Sequence, residues 1–473
     1  MFSLRRFSSR LRAIGIGASG TPATVKLSIH GGIGCRSDRT GEPCSPSAQE
    51  ERLALALTGC STGGGGGDSA DGSTLSVLID NQTATVELWD ALKAAFEEEN
   101  PDITLDIETR PQGSEGDNLV KTRLATGEMN DVFAYNSGSL FQALNPDQNL
   151  APLSDEEWVD SLDEGFRTVV STDSDLYGIP LGQAMGGAVL YNKDVYSSLG
   201  LSVPKTWDEF IANSEAIKAA GDVAPIIQTY GDTWTSQLFV LGDFANVLAQ
   251  DPEWATDYTA NKAKYVDEPA LAGFEHLQQV AESGLTNEDY ASATYDDGVR
   301  MVATGEGAQY PMLTFAAGPL IQNYPDSLDT VGLFPLPGDS ADSNPLTVWQ
   351  PNAVYVPKST EGAKLESAKK LMAFLVTPES CDIQSEVAAP QGPFVIDGCT
   401  LPDDVPALVS DMQPYFDSGD TGLALEFLSP IKGPALEQIT VAVGSGITPA
   451  AEGAKQYDDD VTKQAQQLGL EGW

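Results

Sequence analysis

The sequence predicts an α/β protein with two or more domains or lobes, and three observations define its organisation. The chain has 473 residues, which is too many for one compact core. From residue 74 onward, short apolar runs alternate with amphipathic segments, a pattern typical of parallel strands joined by helices. Before that point, residues 61–73 are rich in glycine and serine, with five consecutive glycines at 63–67. We therefore expect a flexible tether followed by the folded part.

The first elements follow one another as strand and helix. Residues 74–79 (TLSVLI) predict a buried strand, and residues 85–99 place their apolar side chains on one helical face. Residues 103–110 alternate apolar and polar side chains, residues 117–128 predict a second helix, and residues 131–135 (DVFAY) predict a third strand. Spacings near 30 residues indicate a parallel sheet with right-handed crossovers.

The pattern resumes later in the chain. Residues 205–221 and 365–380 both predict amphipathic helices. Further strands, closed by prolines, are predicted at 329–338 and 352–359.

Charge and histidine content exclude several classes of function. Residues 1–60 hold eight basic and four acidic residues, whereas the rest of the chain holds 18 basic and 65 acidic residues. So acidic a surface disfavours binding to nucleic acid or to anionic lipid. The histidines are His30 and His276 alone, and His276 lies in an amphipathic segment without a nucleophile nearby. We therefore predict no catalytic residue, no metal site and no cofactor.

Four ordered segments carry a family resemblance. They are 190–210 (LYNKDVYSSLGLSVPKTWDEF), 302–315 (VATGEGAQYPMLTF), 331–340 (VGLFPLPGDS) and 352–380, which begins NAVYVPKSTEG. In this order they resemble the family 1 extracellular solute-binding proteins, relatives of maltose-binding protein that serve ABC importers. The resemblance covers roughly residues 74–473.

The resemblance implies a type II periplasmic-binding fold, in which hinge crossovers join two α/β lobes around a ligand cleft. It places the first lobe at 74–182 plus 352–389 and the second at 183–351 plus 390–473. A ligand that contacts both lobes favours closure, and the closed form is what the importer recognises. We therefore expect a monomeric protein that captures a carbohydrate, with an oligosaccharide favoured, and delivers it to the membrane permease subunits of an ABC importer.

Candidate ligand residues are aromatic or neutral polar side chains at breaks in structure. Trp234, Phe315 and Trp349 could stack on a sugar ring, Phe315 standing where the family usually has tryptophan; packing at the cleft edge is the alternative. Met185 replaces an acidic contact found in some relatives. Polar candidates, which could equally form turns or helix caps, are Asn81, Gln82, Asn136, Ser137, Ser139, Gln350 and Asn352.

Two other classes of function remain open. The same fold could bind a polyamine, a peptide or another small solute, and a cleft with two or more carboxylates would favour a cation. A secreted glycosidase would need two suitably spaced carboxylates, which a chain this acidic supplies by chance.

The cysteines indicate an exported, anchored protein. Cys381 and Cys399 form the one pair in the predicted folded part, and in an exported chain we expect them to form a disulfide. Residues 57–60 (LTGC) resemble the lipid-attachment motif of bacterial lipoproteins, so Cys60 is the predicted anchor to the outer face of the cell membrane. Residues 1–60 would then be a leader, although residues 1–52 lack the continuous apolar run of a signal, which suggests a misread start.

Overall fold

The structure is a computed structural model that describes residues 73–470 and 472–473. Its strands are β1 (Thr74–Asp80), β2 (Thr104–Arg110), β3 (Val132–Tyr135), β4 (Gly178–Leu181), β5 (Met185–Asn192), β6 (Ala224–Ile226), β7 (Gly307–Leu313), β8 (Val331–Pro335), β9 (Leu346–Trp349), β10 (Asn352–Tyr355) and β11 (Thr421–Leu423). Its α-helices are α1 (Thr83–Glu99), α2 (Gly113–Thr126), α3 (Ser139–Gln142), α4 (Pro146–Asn149), α5 (Glu164–Val169), α6 (Lys193–Leu199), α7 (Trp207–Ala220), α8 (Leu238–Leu241), α9 (Phe244–Gln250), α10 (Trp254–Thr259), α11 (Ala272–Glu282), α12 (Tyr295–Thr304), α13 (Ala317–Asn323), α14 (Gly362–Leu375), α15 (Pro378–Val387), α16 (Ala407–Ser410), α17 (Gln413–Ser418), α18 (Leu425–Leu428), α19 (Leu436–Gly444) and α20 (Ala450–Leu468).

The first sheet arises from the alternation of strands and helices at residues 74–135. β1 pairs in parallel with β2, from Thr74 opposite Thr104 to Asp80 opposite Arg110, and in parallel with β3 on its other side. α1 and α2 form the crossovers between these strands. β10 is antiparallel to both β3 and β4, and the strand order is β2-β1-β3-β10-β4. The three strands at residues 74–135 are thus parallel as predicted, and β10, which enters from the other sheet, makes the whole sheet mixed.

The second sheet is built around β5. Its strand order is β11-β9-β5-β7-β6, and β8 pairs with β5 outside that order. β5 is antiparallel to β7, β8 and β9. Both β5 and β7 are buried along almost their whole length, as expected for central strands covered on both faces. We call the parts built on the first and second sheets the first and second lobes.

The described chain passes between the lobes at three places. The first passage, residues 182–184, joins β4 to β5, and the second, residues 350–351, joins β9 to β10. Before the third passage, the Asp163 amide donates to the Val395 carbonyl at 3.0 Å, and Cys399 is joined to Cys381 of α15 by a disulfide. After it, the Ala407 amide donates to the Leu328 carbonyl of the second lobe. The lobe bounds that the resemblance implies, including the one at residues 389–390, stay a prediction.

His276 lies inside the second lobe. It is on α11, and its ring stacks on Trp207 of α7 with 3.7 Å between ring centroids. Its Nδ1 has no hydrogen-bond partner, and burial lowers its pKa to about 3. Packing is therefore the role that the structure supports for this histidine.

The predicted leader and anchor fall outside the described residues. This applies to residues 1–60, to Cys60 and to the tether up to residue 72. Of the helices in the described part of the chain, none is long and apolar enough to cross a membrane.

Candidate ligand-binding site

Both sheets direct the ends of their central strands toward the passages between the lobes. In the second sheet, β9 and β7 are antiparallel to β5, so both end where β5 begins. In the first sheet, β1, β3 and β4 end where β10 begins. Loops at the carboxyl ends of strands are where open α/β sheets bind ligands. The two edges therefore define one candidate site.

Seven of the eleven predicted ligand residues line one cavity of about 310 Å³ between these edges. They are Asn136, Ser137, Ser139, Met185, Trp349, Gln350 and Asn352. The remaining lining residues were not predicted: Leu140, Glu426, Phe427, Ser429, Pro430 and Lys432. The cavity is near the lower end of the range for small-molecule sites, about 300–1,000 Å³.

Trp349 is the largest side chain in the cavity wall, and its indole is held on two sides. The indole lies over Gly187 of β5, where an added Cβ would be 2.3 Å from Cζ3. Only glycine leaves room for the ring at this position. Its Nε1 donates a hydrogen bond of 2.8 Å to Oε1 of Glu426. Oε2 of Glu426 in turn lies 3.3 Å from Nζ of Lys432.

The amides and hydroxyls of the lining differ in how far the protein already uses them. Gln350 is only 7% exposed, yet its Oε1 has no hydrogen-bond partner. A buried acceptor without a partner is costly, so this oxygen is the unsatisfied polar atom among the amide side chains of the lining. Ser137 donates its hydroxyl proton to the Pro351 carbonyl at 2.8 Å, which leaves its oxygen free only to accept.

The loop after β3 also contacts the second lobe. Gly138 has φ +67°, a left-handed conformation, and an added Cβ would lie 2.7 Å from Cδ1 of Phe427. Both the backbone conformation and the close approach require glycine here. The contact holds the loop at residues 136–139 against α18, so the two lobes jointly form the cavity wall.

Asn81 and Gln82 lie at the same edge of the first sheet but outside this cavity. Both are exposed. The backbone N–H of Gln82 donates a hydrogen bond of 2.9 Å to Oδ1 of Asp80 in the turn between β1 and α1.

Trp234 and Phe315 also lie outside the cavity, at the edge of the second sheet. With Tyr295 they form a cluster of three half-buried rings, whose centroids are 5.3–5.8 Å apart. Phe315 follows Thr314, whose Oγ1 accepts a hydrogen bond of 2.9 Å from the Gly186 amide. The ring cluster is thus next to β5, on the side away from β9. Burial raises the pKa of Tyr295, so its hydroxyl stays protonated.

The unpredicted residues Glu426, Phe427 and Lys432 reach the site through a long-range strand pairing. β11 pairs in parallel with β9, with Leu423 opposite Val348, and the Ala424 amide donates to the Val348 carbonyl at 3.0 Å. This register places the start of α18 beside Trp349. Locally, the sequence shows only a carboxylate next to an aromatic ring, Glu426 and Phe427, in a segment broken by prolines. This pattern does not predict which strand β11 pairs with or in which register.

The lining is mostly neutral. Among its residues, all within the described part of the chain, Glu426 is the one carboxylate and Lys432 the one cation, and they are paired. Three amide side chains and three serine hydroxyls surround the indole. Such a surface can exchange hydrogen bonds with hydroxyl groups and stack on an apolar ring face.

Comparison with known proteins gives a family match and distant relatives. Residues 79–380 match the bacterial extracellular solute-binding protein family. The chain is 24% identical over 353 residues to the melibiose/raffinose/stachyose-binding protein MelE of Bacillus subtilis, covering 71% of this chain and 78% of that one. It is 24% identical over 287 residues to the multiple sugar-binding protein of Streptococcus mutans, covering 60% of this chain and 66% of that one, just under two thirds.

Solved structures share the fold. A binding protein of Bacillus subtilis, MsmE, in an open conformation has a TM-score of 0.71 at 19% identity, over 84% of this chain and 99% of that one. The binding protein RafE in complex with raffinose has a TM-score of 0.65 at 18% identity, over 82% and 99%. At these identities the likeness concerns the fold alone, and the predicted two-lobe periplasmic-binding fold is confirmed.

Proposed function

Because this chain belongs to the bacterial extracellular solute-binding protein family, we propose that it captures an oligosaccharide between its lobes and delivers it to an ABC importer. The observation that carries the proposal is the cavity lining, in which three amides and three serine hydroxyls surround the indole of Trp349. Amides pair with sugar hydroxyls, and an indole stacks on the C–H face of a pyranose.

Capture proceeds by closure of the lobes around the ligand. Asn136 and Asn352 belong to the first sheet's edge, whereas Met185 and Trp349 belong to the second. A ligand in contact with all four binds better when the lobes approach, so it shifts the population toward the closed form. Trp234, Phe315, Asn81 and Gln82 stay predicted contacts, for the parts of a longer ligand that extend beyond the cavity.

A neutral sugar fits the lining better than a polyamine does. A polyamine site needs several unpaired carboxylates. Among the described residues that line the cavity, Glu426 is the one carboxylate, and it is engaged by Trp349 and Lys432. The names of the relatives support the same choice, and melibiose, raffinose and stachyose are the first ligands to test.

Binding without turnover is the expected outcome. Glycoside hydrolysis needs two carboxylates on either side of the scissile bond. Among the described residues, the cavity has one carboxylate, that of Glu426. Its Oε1 accepts a hydrogen bond from Trp349, and its Oε2 is paired with Lys432.

Titration calorimetry with melibiose, raffinose, stachyose, maltose and spermidine tests the proposal. We expect at least one sugar to bind and to be recovered intact. Trp349→Ala should weaken that binding by tenfold or more, and Trp158→Phe, a change at a half-buried tryptophan outside the cavity, should not. Binding of spermidine alone, or release of shorter sugars, would contradict the proposal.

We also propose that the protein is a monomer held outside the cell by a lipid on Cys60. Two or more acyl chains on this residue would give stable attachment. Amino-terminal analysis of the native protein tests this. A lipid-modified Cys60 is expected, whereas a native chain that retains Cys35 and Cys44 would exclude it.

A further inference from the structure

We propose that Glu426 and Lys432 set the specificity of the cavity as a pair. Glu426 is a positioning residue that fixes the indole of Trp349, and Lys432 neutralises Glu426 so that the cavity accepts a neutral ligand and rejects a cation. The inference rests on the proposed function, since it concerns the same cavity.

The positioning role follows from the surroundings of the indole. Trp349 is only 7% exposed, and its ring has the backbone of Gly187 on one side. The hydrogen bond from Nε1 to Oε1 of Glu426 fixes the remaining rotation of the ring about its side-chain bonds. A hydrogen bond to an ionised acceptor is about twice as strong as one between neutral groups. Without Glu426, the buried Nε1–H would lose its acceptor and the ring would turn to find another.

The neutralising role follows from exposure and charge. The side chains of Glu426 and Lys432 are 31% and 45% exposed, so their ion pair contributes little to folding stability. Its effect is on the local potential, because the described part of the chain is strongly acidic and Lys432 is the one cation in the lining. An unpaired Glu426 at the Nε1 edge of Trp349 would offer an amine a carboxylate close to an aromatic ring that can make a cation–π contact.

The positioning role is tested on the ligand-free protein. With tryptophan labelled by ¹⁵N, the indole signal of Trp349 is assigned by its absence in Trp349→Phe, and its exchange with solvent is measured. We expect faster exchange and a shifted signal in Glu426→Ala, and behaviour near wild type in Glu426→Gln, which keeps the oxygen acceptor. Unchanged exchange in Glu426→Ala would overturn the positioning role.

The neutralising role is tested by titration with spermidine at low ionic strength. Lys432→Met should bind spermidine about tenfold more tightly than wild type, and the gain should vanish in high salt and in Lys432→Met combined with Glu426→Gln. Lys369→Met is the matched control, because it breaks the Lys369–Glu156 ion pair of 2.7 Å and removes the same charge from residues outside the cavity. If Lys432→Met gained no affinity for spermidine, or only as much as Lys369→Met, this role would be overturned.

Raffinose titrations separate the inference from the proposed function. In a wild-type protein that binds raffinose, Glu426→Ala should weaken binding about tenfold and Glu426→Gln should restore most of it. If the wild type binds no sugar, the proposed function fails, while indole exchange and spermidine binding still decide the inference.

Discussion

Replacing His276 with phenylalanine should remove a pH-dependent loss of stability. The imidazole is buried against Trp207, and burial lowers its pKa from 6.5 to about 3. Between these values the unfolded chain binds a proton that the folded protein does not. The contribution of His276 to stability is therefore fully present above pH 6.5 and is lost progressively as the pH falls toward 3.

The two pKa values set the size of the effect. At pH 5, protonation of the unfolded chain at His276 lowers the free energy of unfolding by about 2 kcal/mol relative to pH 8. Phenylalanine keeps an aromatic ring on Trp207 and does not titrate. The difference in free energy of unfolding between pH 8 and pH 5 should therefore change by about 2 kcal/mol in His276→Phe relative to wild type.

Urea denaturation at pH 8 and pH 5 measures this difference. All other titrating groups are common to both proteins, so their contributions cancel in the comparison. If the free energy of unfolding had the same pH dependence in wild type and His276→Phe, the conclusion that the His276 imidazole is buried and neutral would be refuted.

Three further predictions concern other buried groups. Burial raises the pKa of Asp243 to about 7, so its contribution to stability is present at low pH and is lost as the pH rises from 3.8 toward 7. Between pH 5 and pH 8 the wild type should therefore lose about 3 kcal/mol of unfolding free energy that Asp243→Asn does not lose, and an unchanged profile in urea titrations would contradict this. Gly187→Ala should displace the indole of Trp349 and weaken raffinose binding about tenfold in calorimetry, whereas Gly200→Ala, at an exposed helix end, should leave it unchanged. Replacing Cys381 and Cys399 with serine opens a loop of sequence separation 18 and should lower the free energy of unfolding by about 3 kcal/mol, as should reduction of the wild type; equal stability would show that the loop is ordered without the bond.

The sequence predicted the ends of β1, β2 and β3 to within one residue, because each side of these strand ends carries its own local signal, whereas the predictions for β8 and β10 run three or four residues too far. Residues 131–135 are an apolar run, and the polar residues Asn136 and Ser137 follow at once. Where such a run forms a strand in a parallel unit, its carboxyl end lies at the ligand-binding edge whatever its neighbours are. Asn81 and Gln82 follow β1 in the same way, although they lie outside the cavity.

Local sequence patterns predicted the order of some strands in the first sheet but not of others. Alternation of strand and helix predicted β1, β2 and β3 with their parallel order, because each crossover helix lies between the strands it joins. The antiparallel entry of β10 depends instead on a strand that returns from the other lobe. The sequence of residues 352–355 contains no local pattern that predicts an antiparallel orientation of β10.

By itself the sequence determined the fold class, the family and most residues of the cavity, because these depend on local periodicity and on segments that occur in order. Only the tertiary structure decided that Glu426 holds Trp349 and that Lys432 lies beside Glu426. The two sides of that contact are 77 residues apart and meet through the pairing of β11 with β9. A three-residue strand has too few side chains to specify its partner, so its register is set by packing of the whole lobe.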